Sequence, residues 1–253
     1  MRIDKSEIAC RFKRSVESYE ENAYAQKAIV SRFMTLLKTY CPTTSGRILE
    51  IGCGTGLLTT RICRQFKNNE LYVNDLVEVM CNKTASRCQL TKQYCLSGDI
   101  EQIALEGDFS LMVSASTFQW LSDPQHTFWR LNHHLQEKGW LIFSTFGTEN
   151  YKELRTITGN GLSYHSLSEM EALLSEAFEV VYSEEGHQVL YFDDPLQVLQ
   201  HIKKTGVNAI PSQQSWTRGM IEDFVQKYAA CFEVDGRVPL TYHPQYFVCR
   251  KRD

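Results

Sequence analysis

A chain of 253 residues, 43% apolar and 23% charged, is long enough for one large core with a small addition and too ordinary in composition to be fibrous or disordered. Its net charge of −3 argues against general nucleic-acid binding, and no apolar run approaches the ~20 residues that span a bilayer. Nine cysteines, an odd number without a C-x-x-C pair, and an opening Met1-Arg2-Ile3-Asp4-Lys5 without a basic-plus-apolar leader point to a reducing cytoplasm rather than a disulfide framework.

In chain order, the first strong signal is Arg47 to Ile51, an apolar strand that runs into Gly52-Cys53-Gly54-Thr55-Gly56, with a helix expected over Leu57 to Phe66. Glycines at a strand-to-helix turn let the backbone approach a ligand closely, and the helix that follows presents free N–H groups. A dinucleotide turn has the spacing G-x-G-x-x-G, but here the sixth position is Leu57 and an acid, Glu50, precedes the first glycine. A carboxylate there repels a pyrophosphate and attracts an amino-acid ammonium group, which favours S-adenosylmethionine over NAD.

The next strand, Leu71 to Asn74, ends in Asp75 and Leu76, and Asp75 is placed to accept from both ribose hydroxyls. A third strand within Tyr94 to Ile100 ends in a second acid, Asp99, expected at the adenine amino group with the Ile100 backbone on the ring edge. Phe109 to Ser114 is the fourth strand and is followed by Gln119-Trp120; Trp140 to Thr145 is the fifth. Strands alternating with helices predict an α/β, Rossmann-like, doubly wound, mostly parallel sheet with ligands at the strands' carboxyl ends. Cys81, Cys88 and Cys95 recur every seven residues, but no nearby His completes a tetrahedral set, so no metal is expected. His133-His134 sits near a helix end, where a cation favours the helix dipole.

These residues resemble the class I S-adenosylmethionine-dependent methyltransferases, and the ends of the chain sharpen the likeness. Ile8 to Phe12 with Tyr19, Ala23 and Gln26, the middle segments Gln119-Trp120, Phe143 to Phe146 and Glu153-Leu154-Arg155, and the C-terminal Val198 to Val207 and Asp235 to Tyr242 are similar to the malonyl-[acyl-carrier protein] O-methyltransferases of biotin synthesis. The resemblance implies a helical cap over 1–40, a cofactor-binding core over 41–190, a helical lid over 191–235 and a last strand over 236–253. Helical spacing over Asp194 to Lys204 and Trp216 to Tyr228, broken around Ala209 to Ser212, agrees with the lid. Two features depart from the family pattern: Gln136 to Trp140 replaces a Pro-Gly-Gly turn, and glutamate stands at position 50 where many relatives have aspartate.

The reaction so implied is methylation of the free malonyl carboxylate, an acid already ionised at neutral pH that needs no general base. Its ester would let fatty-acid elongation treat the chain end as an ordinary apolar primer. Tyr19 and Arg155 are expected to hold that carboxylate, Gln119 and Trp120 to shape the chamber, and Gln26, Glu50, Gly52, Cys53, Gly54, Gly56, Asp75, Leu76, Asp99, Ile100 and Ser114 to form the cofactor site. Lys203, Lys204, Arg218 and Lys227 are expected to meet the acidic carrier protein. A carboxyl methyltransferase of a small free polyacid, of the aconitate type, is the rival reading and requires more cations in the pocket. A cofactor-binding assembly factor without catalysis is a second rival, opposed by the intact glycines and both acids.

Overall fold

The structure, a computed structural model, describes residues 4–15, 23–205 and 216–252. Tyr19 and the break around Ala209 to Ser212 lie outside the described residues. The strands are β1 (Arg47–Ile51), β2 (Glu70–Asp75), β3 (Cys95–Ser97), β4 (Phe109–Ala115), β5 (Leu135–Phe146), β6 (Phe178–Glu185), β7 (Gln188–Phe192), β8 (Val238–Tyr242) and β9 (Pro244–Lys251). The main sheet has the order β3-β2-β1-β4-β5-β9-β6; its first five strands are parallel, and β9 runs antiparallel to both neighbours. Chain order reverses between β1 and β4, which opens a crevice beyond their carboxyl ends, the place where ligands bind in open sheets of this kind.

Strand residues are apolar on both faces because helices cover both. Along β5, Ile142 packs into one core with Ile29, Phe33 and Val248, while its neighbours Leu141 and Phe143 point to the other with Phe128, Leu131 and Phe178. The helices are α1 (Lys5–Ser15), α2 (Tyr24–Tyr40), α3 (Thr59–Gln65), α4 (Glu78–Cys88), α5 (Pro124–His133), α6 (Lys152–Thr158), α7 (Leu167–Ser175), α8 (Pro195–Lys204) and α9 (Arg218–Phe232). Their starts follow from capping chemistry. Asp123 accepts from His126 N at 2.9 Å ahead of Pro124, and Asp194 accepts from Gln197 N at 3.0 Å ahead of Pro195. Ser166 and Glu169 form a reciprocal capping box on α7.

The expected organisation is revised in three places. Helix α2 packs on β4, β5 and β9 through Ile29, Phe33 and Leu37, a four-residue stripe, so it belongs to the core rather than to a separate cap. Residues 236–253 hold two strands, not one: β8 pairs with β7 in a separate ribbon, the chain turns at His243, and only β9 enters the main sheet. The residues expected as a turn before the fifth strand lie inside β5. Leu135 already pairs with Phe109, the register slips before Trp140, and Lys138 absorbs the irregularity at φ 59°.

Candidate active site

The cleft is built at the carboxyl ends of β1, β2 and β4. Gly52 N and Cys53 N both donate to Asn74 O, at 2.8 and 2.9 Å, which ties the glycine turn to the end of β2. At Gly52, φ is +72° and a Cβ would fall 2.0 Å from Thr117 Oγ1, so only glycine lets the turn pass beneath that residue. At Gly54, φ is +52° and no atom lies within 4 Å of where a Cβ would stand. That side of the turn faces a cleft lined by Gly52, Gly54, Gln26, Asp75, Asp99 and Trp120 among others.

The acid of β2 is held by the turn itself. Asp75 Oδ2 accepts from Gly54 N at 2.8 Å and Oδ1 from Val77 N at 2.8 Å, while burial pushes its carboxyl above the usual range. The second acid is engaged by the N-terminal helix: Lys5 Nζ reaches Asp99 Oδ1 and Oδ2 at 2.7 and 2.6 Å and also pairs with Glu101. Glu101 is held below the usual carboxylate range, although burial, the largest influence on it, raises it; Lys5 and the amides of Ser122 and Asp123 overcome that effect together. Ile8 and Phe12, one and two turns beyond Lys5, complete the wall that α1 gives the cleft, and Phe12 meets Trp120 edge-on at 6.0 Å.

Of the residues expected from the sequence, Gln26, Gly52, Gly54, Asp75, Leu76, Asp99, Ile100, Gln119 and Trp120 line this one cleft. Gln26 and Gln119 each keep a buried Oε1 without a hydrogen-bond partner, and Gln119 Nε2 donates to Ser116 O at 2.6 Å. Glu50, Cys53 and Gly56 are not among the residues that line the cleft. Glu50 is 1% exposed, its Oε2 has no partner, and burial pushes its carboxyl up to about 8. Ser114 also lies off the cleft, donating its hydroxyl to Ile51 O at 2.9 Å across the β1–β4 junction; the next residues, Ala115, Ser116 and Thr117, line it instead. Arg155 is not among the lining residues. Its guanidinium sits 5.7 Å from the Tyr164 ring and donates to Thr148 O, because α6 directs it along its own loop.

Lys5, Ile8, Phe12, Asn74, Met80, Thr117 and Phe146 were missed as cleft residues. The helical spacing of Lys5, Ile8 and Phe12 carried a signal, since it puts a cation and two apolar groups on one face. In the C-terminal subdomain, Lys203 and Lys204 are exposed at the end of α8. Arg218 and Lys227 pair along α9 with Glu222 at 2.9 Å and Asp223 at 2.8 Å, which reduces what they offer an acidic partner. Among the described residues no cluster of three or more His, Cys, Asp or Glu is arranged to hold a metal, and no helix is long and apolar enough to cross a membrane.

Residues 48–139, from β1 into β5, match the family model described as a methyltransferase domain. The chain is 37% identical to the malonyl-[acyl-carrier protein] O-methyltransferase of Bacteroides thetaiotaomicron, with 99% of each chain covered. The chain belongs to the malonyl-[acyl-carrier protein] O-methyltransferase family. Its member in Haemophilus influenzae is 36% identical, covering 98% of this chain and 95% of its own. Solved structures show the class I methyltransferase fold. A putative methyltransferase from Bacillus halodurans matches with a TM-score of 0.64 at 14% identity, over 88% of this chain and all of its own. The N-methyltransferase NodS of Bradyrhizobium japonicum, solved with S-adenosylhomocysteine, matches at 0.52 and 16%, over 88% and 87%.

Proposed function

We propose that this protein uses S-adenosylmethionine to methylate the free carboxylate of malonyl-[acyl-carrier protein], giving a methyl ester primer for the biotin precursor. The acceptor is supported by near full-length similarity to proteins of that name. The cofactor is supported by one observation above the rest: Asp75 and Asp99, at the ends of adjacent strands, stand on the rim of the cleft into which Gly54 opens. The residues fit the group. The Gly54 side of the turn would be filled by a Cβ, the acids accept hydroxyl and amino donors, and the buried Gln26 Oε1 offers an acceptor to an ammonium.

When bound, the cofactor supplies an electrophilic methyl on a sulfonium. The chain's own residues have only to place the acceptor and exclude water. A carboxylate with a reference pKa near ~4 is already a nucleophile at pH 7, so no residue has to take a proton. Ile8, Phe12, Trp120, Leu121 and Phe146 give the cleft its apolar walls. Holding the reactants in line there is worth roughly 7–11 kcal/mol of the barrier. Gln119 and Trp120 shape the chamber. Tyr19 and an Arg155 swung off Tyr164 hold the substrate carboxylate, loosely enough to leave it reactive.

The subdomain of α8, α9 and the β7–β8 ribbon acts as the lid, with Lys203 and Lys204 facing the acidic carrier protein, and the enzyme works in the cytoplasm. The polyacid reading is less well supported, since the one cation lining the cleft among the described residues, Lys5, is already paired with Asp99 and Glu101. Methyl-transfer assays with malonyl carrier protein, malonyl-coenzyme A and free dicarboxylates test the proposal. Methyl ester should form fastest on the carrier-bound thioester; equal or faster methylation of free polyacids would overturn it.

A further inference from the structure

The loop that carries Asp99 is pinned along its backbone without help from the N-terminal helix. Gly98 N donates to Asp75 O at 2.9 Å, and Asn74 Nδ2 donates to Gly98 O at 2.9 Å. Gln102 N and Ile103 N donate to Asp99 O at 2.8 and 2.9 Å, and Arg130 of α5 donates to the carbonyls of Ile100 and Ile103. The Asp99 side chain is held differently. Glu101 N donates to its Oδ1 at 3.0 Å, and among the described residues its other hydrogen-bond partner is Lys5 of α1, at 2.7 Å from Oδ1 and 2.6 Å from Oδ2.

Lys5 is fully engaged by acids. An ammonium has three donors, and Lys5 Nζ meets three carboxylate oxygens, both of Asp99 and Oε2 of Glu101. Glu101 is itself anchored, accepting from Ser122 N at 2.9 Å and Asp123 N at 2.8 Å ahead of α5. Lys5 therefore ties an anchored acid to one whose orientation it sets. The side chains of Lys5, Asp99 and Glu101 are 20%, 16% and 11% exposed, so water and salt screen this cluster less than a surface ion pair. One acceptor position on Asp99 stays open: a carboxylate oxygen has two lone pairs, Lys5 and the Glu101 amide take those of Oδ1, and Oδ2 receives Lys5 alone. Leu76, Met80 and Ile100 line the same cleft with apolar side chains, which suit the faces of a flat aromatic ring.

We propose that Lys5 is a positioning residue for the cofactor's base: it turns Asp99 Oδ2 to accept from the adenine amino group, and by the same contact it fastens α1 over that end of the cleft. The inference rests on the cofactor reading above. Lys5 acts through Asp99 and not on the base, because its own three donors are in use. Without Lys5, Asp99 and Glu101 are two carboxylates two residues apart, and no other cation lines the cleft among the described residues. They then repel each other, and the Asp99 side chain turns toward water while its pinned backbone stays in place. Helix α1 loses the ion pairs that fasten its first turn, so the wall made by Ile8 and Phe12 loosens with it.

The test is calorimetry on the full chain with S-adenosylhomocysteine and with its analogue lacking the purine 6-amino group. Removing that group should cost the native protein roughly tenfold in affinity, the scale of a hydrogen bond to a charged acceptor. In Lys5→Met, affinity for S-adenosylhomocysteine should fall about fivefold, and the cost of removing the amino group should shrink to about twofold or less. Lys5→Arg keeps the charge and the donors and should retain most of both. Without any ligand, amide exchange over residues 5–12 should quicken about threefold in Lys5→Met while its circular dichroism stays native. A lysine that only supports the wall would weaken both ligands alike and leave the amino-group cost unchanged; that result would overturn the inference, as would unchanged affinity or unchanged exchange. A native protein that binds S-adenosylhomocysteine with no amino-group cost would also overturn it and leave the proposed function standing. Native protein that binds neither ligand would overturn both.

Discussion

At the scale of single residues, the site rests on one glycine that must face a ligand and one carboxyl that is buried behind it. A Gly54→Val substitution forces a β-branched residue to φ +52° and puts its side chain into the cleft. Cofactor affinity measured by calorimetry should fall at least tenfold while the far-ultraviolet circular dichroism stays native; unchanged affinity would move the cofactor elsewhere. Glu50 makes a different prediction. Burial raises its carboxyl to about 8 from 4.5, so the folded protein holds a proton that the unfolded chain has lost. The stability this contributes is full below pH 4.5 and declines as pH rises toward 8, by a few kcal/mol at about 1.4 kcal/mol per unit. Glu50→Gln cannot lose that proton, so its urea midpoint relative to the native protein should rise between pH 5 and 8. A constant difference would mean that Glu50 is ionised in the fold.

At the scale of elements, α8 offers the opposite slope and so an independent check. His201 lies 2.7 Å from the Tyr242 hydroxyl, and burial first, then Lys204, lowers it to about 4. The unfolded chain takes up a proton near pH 6.5 that the folded one refuses, so stability is full above pH 6.5 and is lost as pH falls toward 4, by up to ~3 kcal/mol. Thermal unfolding of His201→Gln should lose this acid-side slope. The exposed end of the same helix carries the partner prediction. Reversing Lys203 and Lys204 to glutamate should raise KM for malonyl carrier protein severalfold and flatten its salt dependence, leaving the malonyl thioester of a small uncharged thiol unaffected. Equal losses on both substrates would assign the lysines to the fold. The start of α8 was legible in the sequence, where helical spacing begins at Asp194; Asp123-Pro124 carries the same local signal of cap and first turn ahead of α5, a helix of which only the end was expected from the sequence. The β7–β8 ribbon was not: Gln188 to Phe192 finds its partner fifty residues later, and nothing in a short window records that pairing.

At the scale of the whole molecule, the parallel half of the sheet and its glycine turn could be read from apolar runs bounded by Gly and Asp. Asp75 and Asp99 fell on one cleft because every strand from β1 to β5 points the same way. What could not be read was the cleft's other wall. Lys5 and Phe12 reach Asp99 and Trp120 across some hundred residues of chain, and Arg155 turns to Tyr164 because of how α6 leaves β5, a tertiary choice. The position of β9 has a consequence for synthesis. It is the last strand in chain order, yet it sits between β5 and β6 and hydrogen-bonds to both. While the protein emerges from the ribosome, β5 and β6 therefore have no common neighbour, and that half of the sheet waits for the final stretch of chain. Among the described residues, every one that lines the cleft lies at or before Phe146, so a polypeptide stopped at His243 carries all of these in its sequence. Such a product should bind a hydrophobic dye and lose cooperative unfolding, and a late nonsense mutation should be as complete a null as an early one.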